Sequence, residues 1–238
     1  DYTPRLETVG HAGEVVKYYT LNLRLGNSSQ SARADRYSFS KSWRALNSEA
    51  AEVPTFDAYA LSDDESWAIL KTETTKIYRR SSASKVWLVD LQSHEARKLR
   101  PEKVRYATFS PDGAFVAYVL ENDLFVYDIQ SAAHNRITND GAFNRIINGA
   151  TDWVYEEEFA IVKAFWWSPN SESIAFLRFD ESNVRSFNMD MYGKELYPNP
   201  YTFKYPKAGE DNSIVTAHLW NMKSAKIQQV LKDVPFEY

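Results

Sequence analysis

The densest chemistry in the sequence is the run Asp152-Trp153-Val154-Tyr155-Glu156-Glu157-Glu158, four carboxylates within seven residues. Adjacent glutamates repel one another, and a bare acidic triplet is ordinarily a solvated helix turn. The company of this triplet argues for more. Trp153, Tyr155 and Phe159 are large apolar anchors able to hold the segment against a scaffold. Carboxylates fixed side by side make a site for one small cation, and a free peptide α-amino group, with a pKa of about 7.7–8.0, would supply it. Little else in the chain could do chemistry. There are no cysteines, which excludes disulfides and thiolates. The four histidines, His11, His94, His134 and His218, fall in turns, strand ends or the irregular start, and His218, in an apolar strand, reads as a packed structural residue. No Gly-x-Ser-x-Gly elbow, metal-spaced His/Cys/Asp cluster or glycine-rich phosphate loop occurs. No catalytic residue, metal site or cofactor is therefore expected in this chain.

The elements that must position the acidic run are strands in a repeat. Tyr59–Glu65, Tyr106–Gly113 and Phe165–Asn170 each carry a Ser-centred turn signal, followed by the apolar runs Trp67–Leu70, Phe115–Val119 and Ile174–Leu177. The turn serines lie 48 residues apart (62 to 110) and then 58 (110 to 168). A second signal follows each: an aromatic strand ending in Asp90, Asp128 or Asn221, then a turn and another strand. This predicts an all-β chain of four-stranded antiparallel units in tandem, the signature of β-propeller blades. A generic antiparallel sandwich is the alternative. The blades are expected at about 58–99, 104–138 and 163–230, with residues 1–57 a partial first blade or edge strands. Within 1–57, Val15–Leu21 and Arg36–Phe39 read as strands. Three to four blades form an incomplete ring, so the chain reads as part of a larger propeller.

In an up-and-down blade the turns joining the first to the second strand and the third to the fourth share one face. They are short here in every unit. The long pieces fall on the other face: about Thr72–Lys85, with Arg79 and Arg80; Asn139–Val162, with the acidic run; and the insertion Asp180–Ser213. Long loops on a rigid scaffold are where binding sits. The last insertion, dense in Tyr and Pro, reads as a protruding hairpin arm docked on a partner surface.

The chain has 238 residues, 44% hydrophobic and 15% aromatic, enough for a sizeable core. Its 28 basic against 32 acidic residues give a net charge of −4, which argues against a nucleic-acid partner. No apolar run is long enough to span a bilayer. The chain starts at Asp1 rather than Met, which suggests that it was excised from something larger.

The run Asp152–Glu158 resembles the glutamate motif of the dipeptidyl peptidase IV family, the prolyl-oligopeptidase-like serine exopeptidases. Ile77-Tyr78-Arg79-Arg80-Ser81, Ile137–Gly141, Ile146–Gly149, Phe165–Pro169 and Tyr205–Gly209 are also similar to the family. The resemblance implies that Glu157 and Glu158 bind the ammonium of a peptide substrate with a free N-terminus. It also implies an arginine, just before the strand Tyr106–Phe109, that holds a substrate backbone carbonyl. Arg100 is the candidate, with Arg97 and Arg105 as alternatives. It implies a hydrolase domain C-terminal to the propeller, a homodimer through the 180–213 arm, and a periplasmic, secreted or membrane-anchored location. The activity so implied is release of N-terminal Xaa-Pro or Xaa-Ala dipeptides, with this chain inactive alone. A tripeptidyl peptidase of the same superfamily and a non-catalytic propeller scaffold are the alternatives.

Overall fold

The same pair of turns builds each blade. In the computed structural model, which describes residues 56–93 and 95–232 and the backbone of two strands before them, Ser62, Ser110 and Ser168 occupy equivalent positions. Each serine hydroxyl donates to the carboxylate or amide oxygen two residues on, Asp64, Asp112 or Asn170, at 2.6–2.7 Å. Each also accepts the backbone N–H five residues on, from Trp67, Phe115 or Ser173, at 3.0 Å. The fourth turn residue has positive φ in all three, at Glu65, Gly113 and Ser171. The second turn recurs in the same way. Asp90 and Asp128 each accept two backbone N–H groups from the turn that follows, and Asn221 accepts the N–H and hydroxyl of Ser224. The two turns are tied together by Leu91 N–H to Ser66, Ile129 N–H to Ala114 and Met222 N–H to Glu172, so they share one face of every blade.

These turns join antiparallel strands. The first blade is β3 (Ala58–Leu61), β4 (Trp67–Lys76), β5 (Ser82–Asp90) and β6 (Ala96–Lys98), paired in that order. The second is β7 (Arg105–Phe109), β8 (Phe115–Leu120), β9 (Asp123–Asp128) and β10 (His134–Arg136). The third is β12 (Phe165–Trp167), β13 (Ser173–Asp180), β16 (Ile214–Asn221) and β17 (Lys226–Val230), with β11 (Ile146–Asn148) on the far end of β13. A hairpin, β14 (Ser186–Met191) with β15 (Asn199–Lys204), stands between β13 and β16. Before the blades, β1 (Leu6–His11) pairs with β2 (Glu14–Tyr19). The strand expected at Arg36–Phe39 and the histidine His94 lie outside the described residues.

The middle strand β8 of the second blade is apolar on both faces because that blade is packed between the first and the third. On β8, Val116 and Tyr118 face the first blade with Ile69, Val86 and Leu88, while Ala117 and Val119 face the third with Phe165, Ile174 and Phe176. Beyond the third blade, the register row Trp166–Ala175–Leu219 stays exposed on the side away from the second.

Two long pieces depart from expectation. Thr72–Lys85 is not an open loop. The strands β4 and β5 run on past the blade, with a register shift between Thr72 and Thr75 and Glu73 at φ 50°, and close in a tight turn over residues 77–81. The bulge arises where one extra residue on one strand must be absorbed, and it bends the hairpin. The connection from the second to the third blade is anchored by Asp123, which is 1% exposed. Its carboxylate accepts from Thr138 Oγ1 (2.6 Å), Gly141 N–H (2.9 Å), Asn148 Nδ2 (3.2 Å) and the Arg136 guanidinium. Gly141 passes so close that a Cβ there would lie 2.6 Å from the Asn122 backbone, so no side chain fits.

Candidate functional site

The acidic run forms the one α-helix among the described residues, α1 (Trp153–Phe159). It starts at Asp152 because that carboxylate accepts the Tyr155 N–H at 2.9 Å, satisfying an otherwise orphaned helix donor. It stops at Ala160, whose left-handed φ of 56° returns its N–H to the Tyr155 carbonyl. Asp152 is itself buried, and Ser213 Oγ donates to its second oxygen at 2.6 Å. Burial raises the Asp152 pKa, and these two hydrogen bonds oppose that shift.

The aromatic residues dock this short helix, unevenly. Trp153 packs on Tyr205 (ring centroids 4.4 Å apart) and Tyr155 meets Phe179 edge-on at 4.9 Å. Phe159 is 47% exposed and leans on Tyr155, so it is not the anchor expected from sequence. The deepest side chain instead is polar. Glu156 is 1% exposed, and its Oε1 accepts the backbone N–H groups of Arg80 (2.6 Å) and Ser81 (2.8 Å) at the tip of the β4–β5 hairpin. Arg80 Nε donates back to the Glu156 carbonyl at 3.3 Å.

The next residue on each side completes the junction: Arg79 Nε lies 3.2 Å from Glu157 Oε2. The Arg79 side chain is 71% exposed and that of Glu157 15%. Glu158 is exposed and makes no hydrogen bond or ion pair among the described residues. The helix thus offers one carboxylate already neutralised by an arginine and a neighbour with no counter-charge.

The arginine expectations resolve unevenly. Arg100 follows β6, the outermost strand of the first blade, and its guanidinium turns to Glu102, to Tyr118 Oη (3.2 Å) and over the Phe125 ring. Arg97 donates to the Ile129 carbonyl between the rings of Trp67 and Tyr127. None of these contacts is on α1. Arg105 lies under the junction, donating to Asn122 Oδ1 at 2.5 Å. Burial lowers its pKa, opposed by nearby phenols and by the charges of Glu156 and Glu181. The arginine that meets Glu157 is Arg79. It sits within the run Ile77–Ser81 singled out in the sequence, yet its spacing from the second-blade strand does not point to it.

The third insertion closes the site from the side. Tyr78, next to Arg79, packs on Phe203 of β15, and burial raises its pKa. Beneath lies Glu181, 6% exposed, whose pKa is pushed up to about 7 by burial and then by the charge of Asp152, with Lys204 and Arg105 opposing. Lys204 Nζ in turn donates to the Val184 carbonyl at 2.6 Å. Hairpin tip, helix and arm base therefore converge on one face.

A scaffold of tandem four-stranded antiparallel blades, carrying an arginine-paired acidic helix on its long-loop face, is part of a β-propeller domain. The family model for the dipeptidyl peptidase IV (DPP IV) N-terminal region matches residues 62–236, and the chain belongs to that family. It is 33% identical over 178 residues to prolyl endopeptidase FAP of Bos taurus, covering 74% of this chain and 23% of that protein. It is 34% identical over 174 residues to dipeptidyl aminopeptidase B of Saccharomyces cerevisiae, covering 71% and 21%. The crystal structure of Porphyromonas gingivalis dipeptidyl peptidase 4 matches with a TM-score of 0.76 at 33% identity, over 97% of this chain and 31% of that one. The chain spans less than a third of the length of each of these relatives. Among the described residues no helix is long and apolar enough to cross a membrane, and no group of His, Cys, Asp and Glu is placed to hold a metal ion.

Proposed function

We propose that this chain is the substrate-recognition part of a serine dipeptidyl peptidase, in which Glu157 and Glu158 bind the free α-amino group of a peptide. The observation that carries the reading is the asymmetry of the two carboxylates: Glu157 is held by Arg79, and Glu158 has no partner among the described residues. A peptide ammonium placed between them supplies the missing charge. Arg79, beside Glu157 and largely exposed, takes the role first given to Arg100: it donates to a substrate backbone carbonyl from its free guanidinium nitrogens. Two extended residues span about 7 Å, at ~3.3–3.6 Å each, so a nucleophile at a set distance cuts after the second. The nucleophile belongs to a C-terminal hydrolase domain of the parent protein, and the exposed row Trp166–Leu219 supports further blades in between. Xaa-Pro and Xaa-Ala termini, an extracytoplasmic location and a homodimer through the 180–213 arm belong to the same reading. The arm's exposed Met191, Tyr192, Leu196 and Tyr197 favour the homodimer.

The test uses the complete protein. Glu157→Ala and Glu158→Ala are each expected to lower dipeptide release on the order of 10²-fold or more, since removing one partner of a charge pair that the bound peptide would bury costs about 2–5 kcal/mol. Release at the normal rate in both variants would remove the site.

A further inference from the structure

We infer that Glu156 is the positioning residue of this site: its buried carboxylate fixes where Arg79 stands relative to Glu157. The inference rests on the amino-end reading above and adds to it a residue that touches no substrate.

Two contacts in successive layers join the helix to the β4–β5 hairpin, which lies about 75 residues away in sequence. The inner layer is Glu156 Oε1 on the N–H groups of Arg80 and Ser81, with Arg80 Nε returning to the Glu156 carbonyl. The outer layer is Arg79 on Glu157. The outer pair cannot locate itself. The Arg79 side chain is mostly in water, where an ion pair contributes little and a long flexible side chain has many alternatives. The hairpin tip holds its own shape through Ile77 N–H to the Ser81 carbonyl (3.0 Å) and Tyr78 N–H to Ser81 Oγ (3.2 Å), but these bonds are internal and say nothing about where the tip points. The strand bulge at Thr72–Thr75 loosens the hairpin from the flat ladder below. Apart from the packing of Tyr78 on Phe203, which faces the arm, what aims the tip at the helix is the carboxylate of Glu156. Ser81 is 3% exposed, so without that acceptor its N–H would be buried unpaired.

Geometry, rather than charge, is what this role requires, and three variants of the complete protein separate the two. Glu156→Gln keeps an oxygen acceptor at the same reach and loses the charge. Glu156→Asp keeps the charge and is one methylene too short. Glu156→Ala loses both. With a free-amino Xaa-Pro substrate, Ala and Asp are expected to raise KM on the order of tenfold or more, while Gln retains most of the native kcat/KM. Mere loss of folded protein would lower kcat at constant KM, so the split separates aiming from stability. If Glu156→Ala fails to fold, the Gln and Asp pair decides alone. Asp behaving as native while Gln loses activity would overturn the inference, as would all three keeping the native KM. Glu157→Ala and Glu158→Ala run alongside: loss of activity in these with native KM in the Glu156 series sinks only the positioning role, whereas native activity in both sinks the amino-end reading itself.

Discussion

Two insertions rise on the long-loop face beside the third blade, and they are held by opposite means. The connection carrying α1 is pinned by buried polar groups: Asp123 on four donors, Asp152 on the helix start and Ser213, Glu156 on two backbone N–H groups. The β14–β15 arm has every β14 residue exposed and shows Met189, Met191, Tyr192, Leu196 and Tyr197 to solvent. Its base packs on the hairpin tip and the helix through Phe203 and Tyr205, and the Thr202 carbonyl accepts from Asn144 Nδ2. A backbone that must hold a carboxylate in one place is over-determined by satisfied hydrogen bonds. A surface that waits for a partner keeps its apolar side chains outside. The energies support the division. Each hydrogen bond to a buried carboxylate contributes about 1.5–3 kcal/mol, and the exposed Arg79–Glu157 pair about 0–1 kcal/mol.

The contrast is sharpest at Asp123. Asp123→Ala removes the acceptor of Thr138 Oγ1 and Gly141 N–H and one of two acceptors of Asn148 Nδ2, and leaves Arg136 with only the Thr138 carbonyl as acceptor. A loss of about 3–5 kcal/mol is expected, read as a lower denaturant midpoint. A loss under 1 kcal/mol would show that the connection is not held from this point.

Glu181, under the same junction, gives the stability a pH dependence. Its folded pKa of about 7 lies above the usual 4.5. Between these values the folded form keeps a proton that the unfolded form has lost, so the contribution is complete below 4.5 and disappears as pH rises through 7. Its size is on the order of 3 kcal/mol. Glu181→Gln, which cannot ionise, should flatten that part of the stability-against-pH curve. An unchanged slope would place the titration elsewhere.

Asp152→Ala removes a helix cap and the partner of Ser213. It should cost about 1–2 kcal/mol by the same midpoint measurement. The arm gives the smallest effect on folding. Leu196→Ser and Tyr192→Ser should change stability by no more than about 0.5 kcal/mol. If the arm forms the proposed homodimer, in the complete protein they should shift it towards monomer by sedimentation. A large loss of stability with an unchanged oligomeric state would reverse the contrast between the two insertions.

What could be read from the sequence was what is written locally. Ser62, Ser110 and Ser168, with the residues two and five positions on, state their turns within six residues, and Asp90, Asp128 and Asn221 do the same. The acidic run is contiguous, and the family resemblance makes Glu157 and Glu158 stand out within it. Glu156 and Arg79 do not, because their meaning lies in a contact across about 75 residues that no local spacing encodes. Arg100 was chosen by distance along the chain from β7, whereas the bulged β4–β5 hairpin delivers Arg79 through space. Phe159 reads as an anchor by type alone, and at the last turn of α1 it is half exposed.

The central claim is that the clamped helix reads a charged amino terminus. Its most direct measurement is the ratio of kcat/KM for a free-amino Xaa-Pro peptide to that for its N-acetylated form, in the complete protein and in Glu158→Ala. A large ratio in the native protein that collapses towards one in the variant is the expected result. A ratio that Glu158→Ala leaves unchanged would contradict it.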